Sequence, residues 1–227
     1  MKTSLSLSVI CAALLILSGG VLAGKAFADS ADKSAALGKA VVKLDTTTSS
    51  ISWVGKKVTG QHSGTVAVKG GEALLDGSNL VGGSFEVDLG SIRVTDITDP
   101  KDNAKLTNHL KSGDFFGSDL FPTATLTITQ AKRIQNAKAG EANYDIAGDV
   151  TIKGLKNTVN FPAIVTVANG RAEAKATFTL DRTKWNMRYG SGQFFENLGD
   201  KLIYDDFEVT MSVSGPVSGP VSGAAVS

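Results

Sequence analysis

Along most of the chain apolar and polar residues alternate one for one. Phe85, Val87 and Leu89 are interleaved with Ser84, Glu86 and Asp88, and Ala124, Leu126 and Ile128 with Thr123, Thr125, Thr127 and Thr129. The same holds for Tyr144, Ile146, Gly148, Val150 and Ile152 against Asp145, Asp149, Thr151 and Lys153, and for Phe207, Val209, Met211 and Val213 against Glu208, Thr210 and Ser212. A period of two gives each strand one dry and one wet face, the mark of antiparallel rather than parallel sheet. Turn signals at Lys69-Gly70-Gly71, Asp76-Gly77, Lys153-Gly154 and Asn169-Gly170 space these strands at hairpin distances. A coarse reading places about eight strands between Val41 and Val213, enough to close a barrel whose interior holds side chains or one ligand. The fold class expected is all-β, an antiparallel eight-stranded barrel.

One stretch breaks the alternation, Asp96 to Pro122. Asp99 followed by Pro100 supplies an N-cap and a first helical residue, Asp102 falls near the positive end, and Gly113 offers a stop. Leu106 and Leu110, four apart, give the short helix an apolar face. Phe115, Phe116, Leu120 and Phe121 follow, too many large apolar groups for a loop surrounded by water. Helix and aromatic loop together are expected to form a lid over one end of the barrel.

The strand Arg171 to Leu180 turns Ala172, Ala174 and Ala176 inward before Phe178 and Leu180, and Gly148 interrupts its neighbour's apolar face. A filled core would be expected to carry Val, Ile or Leu there, so these positions predict an apolar cavity. The alternative is that Trp53 or Phe161 from the opposite wall fills the space. The expected wall comprises Trp53, Phe85, Phe115, Phe116, Ile146, Gly148, Ala172, Ala174, Ala176 and Phe178.

The chain ends read differently. Lys2, the apolar run Leu5 to Leu17 and the small-x-small triplet Ala26-Phe27-Ala28 resemble a signal peptide, residues 1–28, with Val21-Leu22-Ala23 as a second cleavage site. An uncleaved anchor is the alternative reading of the same stretch. Cleavage would make the protein periplasmic or secreted and would remove Lys2 and Lys25, moving the formal charge from +1 to about −1. Residues 29–39 read as a small, polar linker, 40–213 as the folded domain, and 214–227, with a repeating Gly-Pro-Val-Ser unit, as a disordered tail. The single cysteine, Cys11, lies in the signal segment, and the residues before it do not suit a lipoprotein site. The mature chain therefore has no disulfide and no thiol chemistry.

Charge and motifs narrow the function. A formal charge of +1 with scattered lysines gives no electrostatic footprint for nucleic acid. There is no Gly-x-Ser-x-Gly elbow, no His-Glu-x-x-His and no phosphate loop, and the two histidines have no metal-ligand spacing, so no enzyme and no metal site are expected. Asp96, Asp99 and Asp102 lack the glycine and the twelfth-position glutamate of a calcium loop and suit helix capping. His62, between Gly60 and Gly64, reads as a turn residue capping backbone groups, with a ligand contact as the other reading.

Several segments, in order, resemble the YceI-like family of secreted bacterial proteins: Ile51-Ser52-Trp53-Val54-Gly55-Lys56 with Gly60-Gln61-His62-Ser63-Gly64, Gly83 to Asp88, Leu110 to Phe116 through Phe121-Pro122, and Gly148 to Gly154. Asp181-Arg182-Thr183-Lys184-Trp185-Asn186, Tyr189 to Gly192, Phe194-Phe195 and Leu198 to Asp200 are similar to a branch of it. The resemblance spans nearly all of residues 40–213; the segment before Phe116 is longer than in many relatives and the Gly-Pro-Val-Ser tail is foreign to the pattern. It implies a lipocalin-like barrel holding an isoprenoid or similar long-chain amphiphile, with no cofactor beyond a bound isoprenoid, quinone-like or fatty lipid. Each buried methylene contributes about 0.8 kcal/mol, so a chain of about a dozen carbons could offset its ordering cost by apolar contact alone. An anionic or quinone-like head would lie at the mouth, where Arg182, Lys184, Trp185, Arg188 and Tyr189 cluster in sequence; solvent-facing charge paired with Asp181 or Asp200 is the other reading of that cluster.

The expected function is that of a secreted lipid-binding protein for transport, storage or stress protection, with transient membrane contact and a homodimer both left open. The alternative is a periplasmic structural or stress-related module that engages a protein partner through the aromatic lid, its barrel filled by side chains.

Overall fold

The computed structural model describes residues 39–219; the signal-peptide reading, most of the linker and the last eight residues lie outside them. Nine strands are present among the described residues: β1 Lys39–Lys43, β2 Ser50–Lys57, β3 Gly60–Asp76, β4 Asn79–Val94, β5 Thr123–Arg133, β6 Tyr144–Ile152, β7 Leu155–Ala168, β8 Arg171–Asp181 and β9 Ile203–Ser218. All pairings are antiparallel, and consecutive strands from β2 to β9 are neighbours. The β2–β9 pairing closes the barrel. Around the circumference there are eight positions, because β1 and β2 share one. The first half of β3 pairs with β2 (Ile51 with Val66) and its second half with β1 (Val42 with Ala73), while β9 pairs with both.

The hairpins show how the sequence turns the chain. Lys153-Gly154 and Asn169-Gly170 both have positive φ at each residue, 52° and 73°, 52° and 71°, the left-handed pair that matches the twist of a two-residue hairpin. Lys69-Gly70-Gly71, expected to be a turn, is instead an irregularity inside the 17-residue strand β3, where the register with β4 shifts between Val68 and Gly70. A bulge bends a long strand without ending it, and a side chain at Gly71 would collide with Phe85 and the Ser84 carbonyl.

The helix α1, Pro100–Lys111, starts where the sequence predicts: the Asp99 carboxylate accepts from the amides of Lys101 and Asp102, at 2.9 and 3.0 Å. It ends one residue before Gly113, on Ser112. No helix among the described residues is long and apolar enough to cross a membrane.

The expected disordered tail is corrected for its first residues. Ser214 to Ser218 continue β9, pairing with β8 (Arg171 with Pro216) and with β1 (Val41 with Ser218). A Gly/Pro/Val/Ser composition cannot build a core of its own, yet it fits where a strand must lie close against another. Gly215 is buried with the Lys43 carbonyl over it, leaving no room for a side chain.

The barrel has two unlike halves. At the end where β1 lies, Ala40, Val42, Leu75, Leu80, Tyr144, Val165 and Val213 are buried together, and the Tyr144 hydroxyl accepts from the Leu80 amide at 3.2 Å. At the other end the strands open under α1 and its aromatic loop on one side and the long β8–β9 connection on the other.

Candidate functional site

Beneath that end lies a cavity of about 320 Å³. Its walls come from seven of the nine strands: Ile51, Trp53 and Gly55 of β2, Val66 of β3, Phe85, Val87 and Leu89 of β4, Ala124 and Leu126 of β5, Val150 of β6, Phe178 and Leu180 of β8, and Phe207, Val209 and Met211 of β9. The roof is Leu106 and Leu110 of α1 with Phe115, Phe116 and Met187. The inward-facing member of each alternating pair supplies the wall, so the lining follows directly from the period of two.

The residues expected to form the wall divide. Trp53, Phe85, Phe115, Phe116 and Phe178 line the cavity. Ile146, Gly148, Ala172, Ala174 and Ala176 do not, and the expectation that small groups mark the ligand space is corrected. Ala172 pairs across to Gly215, which is small because β1 presses there: Val42 Cγ1 lies 3.1 Å from where a Gly215 Cβ would sit. The space beside Gly148 is taken by Leu126, whose Cδ1 is 2.8 Å from the corresponding point. Phe161 stacks on Phe178 at 4.3 Å between centroids; Phe178 faces the cavity and Phe161 does not, so the pair closes it on that side.

The expected head-group cluster is also redistributed. Arg182 borders the cavity, but it is only 4% exposed and its guanidinium is committed to the chain: Nε donates to the Tyr204 carbonyl (3.1 Å), Nη1 to Met187 (2.7 Å) and Nη2 to Ile203 (3.0 Å), with Asp205 Oδ1 3.2 Å away. Burial pulls its pKa down, opposed by Asp205 and Asp181. Trp185 is wholly buried and donates to the Val150 carbonyl. Lys184 and Arg188 are exposed, the latter with its guanidinium 4.5 Å from the Phe194 ring, and Tyr189 packs edge-on against His109 of α1 at 4.6 Å. The reason is local. Asp181 caps a 3-10 turn over Arg182–Trp185 that ends on left-handed Asn186, turning Arg182 and Trp185 inward and Lys184 out. Arg182 and Trp185 tie the β8–β9 connection to the barrel instead of presenting donors to a ligand; Lys184 and Arg188 are solvent-facing charges, while Arg182 is buried with Asp205 nearest and Asp181 beyond it, not Asp200.

The lid is fastened from three sides. Asn103 Nδ2 donates to the carbonyls of Val94 and Ile97, Lys153 Nζ reaches the Gly113 carbonyl at 2.8 Å, and His109 lies 3.0 Å from Asp114 while touching both Phe115 and Tyr189 edge-on. Lys153 is partly desolvated, which lowers its pKa against the pull of Asp114.

His62 is not a turn residue. It lies in β3 opposite Gly55 and lines the cavity. Its Nδ1 is 2.9 Å from Asp96, which also accepts the Ser63 amide at 3.0 Å. Although burial raises the Asp96 carboxyl, the Ser63 amide and the His62 ring outweigh it and hold the group below the usual carboxylate range. Asp99 alone of the three spaced acids caps the helix. Lys57, His62 and Tyr204 line the cavity and are themselves partly exposed, so the cavity reaches the surface between the β2–β3 hairpin and the start of β9. The Trp53 indole N–H is buried without a hydrogen-bond partner.

Gly55, Leu106, Leu110, Met187, Ile203, Phe207, Val209 and Met211 were not among the expected site residues. For Phe207, Val209 and Met211 the signal was present in the alternation, and for Leu106 and Leu110 in the helical spacing. For Met187 and Ile203, in or beside an irregular connection, no pattern pointed inward. Among the described residues no group of histidines, cysteines and acids is placed to hold a metal.

Comparison with known proteins agrees with this architecture. Residues 42–214 match the family model described as YceI-like domain. A crystal structure of Burkholderia cenocepacia BcnA superposes with a TM-score of 0.56 at 20% identity, over 76% of this chain and 99% of that one. A polyisoprenoid binding domain from Saccharophagus degradans, implicated in plant cell wall breakdown, gives 0.56 at 15% identity, over 78% and 98%. A UPF0312 protein of Staphylococcus aureus strain USA300 is 41% identical over 59 residues, which is 26% of this chain and 29% of the relative's length.

Proposed function

The chain belongs to the YceI-like family, and on that footing we propose that it binds one long-chain isoprenoid-type amphiphile inside the barrel, without catalysing a reaction on it. The observation that carries this reading is the apolar cavity of about 320 Å³ beneath the lid. That volume lies in the range of small-molecule sites and suits a single chain. With about 0.8 kcal/mol per buried methylene, such walls retain a chain by contact alone. The Saccharophagus domain of the same architecture, described as polyisoprenoid-binding, supports isoprenoids as the class to try first. The alternative with a filled barrel finds no support in an interior whose lid half is open.

A carrier role, in transport, storage or stress protection, needs a route for the lipid. The apolar side chains left in water gather at the lid end: Leu120 is 82% exposed, Phe195 50%, Leu155 43%, with Val58, Phe121, Tyr189, Phe194 and Tyr204 also exposed, against only Leu74 and Val81 elsewhere among the described residues. Clustered exposed apolar groups mark contact surfaces, and here they favour transient contact with a membrane. Secretion follows from the N-terminal pattern in the sequence and is part of the proposal. Purification from the secretory compartment, solvent extraction and lipid identification by mass spectrometry test the whole reading. A stoichiometric isoprenoid-type lipid is the expected result, and an empty protein that also refuses added isoprenoid alcohols would refute it.

A further inference from the structure

We infer that His62, held by Asp96, is the cavity's head-group acceptor, and that the preferred ligand carries a hydroxyl at the end of its apolar chain. This rests on the binding reading above and goes further, from the kind of chain to the chemistry of its head. His62 faces Gly55 across the β2–β3 pair, and both line the cavity. A Cβ built at Gly55 would meet nothing within 4 Å, so there is open space beside the imidazole.

The ring's protonation pattern follows from its partner. Asp96 Oδ1 accepts the Ser63 amide and Oδ2 faces His62 Nδ1 at 2.9 Å. An ionised carboxylate can only accept, so the hydrogen between the two belongs to Nδ1. In the neutral form of the imidazole the lone pair is then on Nε2, which has no hydrogen bond to any described residue. The charged groups in the lining, Lys56, Lys57 and Arg182, can only donate, and those of Arg182 are already committed to carbonyls. A ligand hydroxyl beside Gly55 can donate to Nε2, whereas an ether or ester oxygen would set one lone pair against another.

The test compares farnesol with farnesyl methyl ether, ligands of one chain and two heads, by titrating the intrinsic fluorescence of the full-length protein; Trp53 lies in the cavity wall and reports occupancy. Wild type should prefer the alcohol by about tenfold, the worth of one well-made hydrogen bond. His62→Phe should bring the two ligands to near equality by weakening the alcohol alone. Asp96→Asn should act in the opposite sense. With the Ser63 amide keeping the amide oxygen, the new NH2 faces Nδ1, the ring proton moves to Nε2, and the methyl ether should bind more tightly than it does to wild type. A merely structural role for Asp96 would weaken both ligands together. If His62→Phe fails to fold, Asp96→Asn carries the test. Equal affinities in wild type, or a tenfold preference surviving in Asp96→Asn, would overturn the inference while leaving the binding reading in place; no binding of either ligand to wild type would overturn both.

Discussion

Replacing Arg182 with Met separates two accounts of the residue. Read from its neighbours in sequence, Arg182 is a donor for a ligand head; read from the structure, it is a tie holding the β8–β9 connection to the start of β9. Met keeps much of the length and the apolar stem while deleting the guanidinium. Three carbonyls, of Tyr204, Met187 and Ile203, then lose their donor, and Asp205 loses the cation 3.2 Å from its Oδ1. Asp205 keeps one partner, Gln193 Nε2 at 2.8 Å, so its charge is weakened in support rather than abandoned. Removing one partner of a buried ion pair costs about 3–5 kcal/mol, and here Asp205 Oδ1 has no hydrogen bond of its own to fall back on. For a domain of this size each kcal/mol lowers Tm by about 2–4 °C, so the expected drop is roughly 6–20 °C. Thermal unfolding followed by circular dichroism measures it on the apo protein. A Tm within about 2 °C of wild type, with ligand affinity reduced, would refute the structural assignment and restore Arg182 to the head-group site.

Other consequences are equally open to measurement. Gly64→Ala would drive a methyl into the Arg93 carbonyl and the Trp53 indole; overpacking costs about 1–3 kcal/mol, and a urea midpoint unchanged from wild type would show that the wall at Trp53 is softer than described. Truncation after Val213 should lower Tm and expose residues 39–44 to limited proteolysis, because Val217 and Ser218 pair with β1 and the Ser214 carbonyl accepts the Asp45 amide at 2.8 Å; an unaltered cleavage pattern would contradict that pairing. Asp96 and Asp149 are both held below the ordinary carboxylate value of 3.8 in the folded chain. Their contribution to stability is therefore present above about pH 4 and lost as pH falls through the depressed values. Urea midpoints taken from pH 6 downward should show this loss, and Asp96→Asn should make it shallower.

Much of the barrel was legible because strands advertise themselves residue by residue. Tyr144, Ile146, Gly148, Val150 and Ile152 are all buried and their neighbours are not, as a period of two requires. Asp99-Pro100 marked the helix start through backbone chemistry that needs no tertiary partner. What failed to show was anything decided by a distant part of the chain. Gly215 is small because β1 packs on it, and β1 is only five residues long, following a segment composed like a linker. Glycine and proline in residues 214–218 signalled disorder by composition, while their place in β9 depends on β1 and β8 lying alongside. The cluster Arg182 to Tyr189 is contiguous in sequence, but a 3-10 turn sends successive side chains in different directions. His62, a lone histidine between glycines, reads in the sequence as a turn residue with a ligand contact as the other reading; the strand period through His62, Gly64, Val66 and Val68 is the sign that favours the second.

The central claim, that the space under the lid is the binding site, is tested most directly by native mass spectrometry of wild type beside Gly55→Phe and Ala124→Phe. Gly55 has open space at its Cβ and no left-handed backbone to strain, and both positions line the cavity, so each substitution places a ring inside it. The account predicts a one-to-one isoprenoid-alcohol adduct on wild type and none on either folded variant. An undiminished adduct on both variants would place the ligand elsewhere and contradict it.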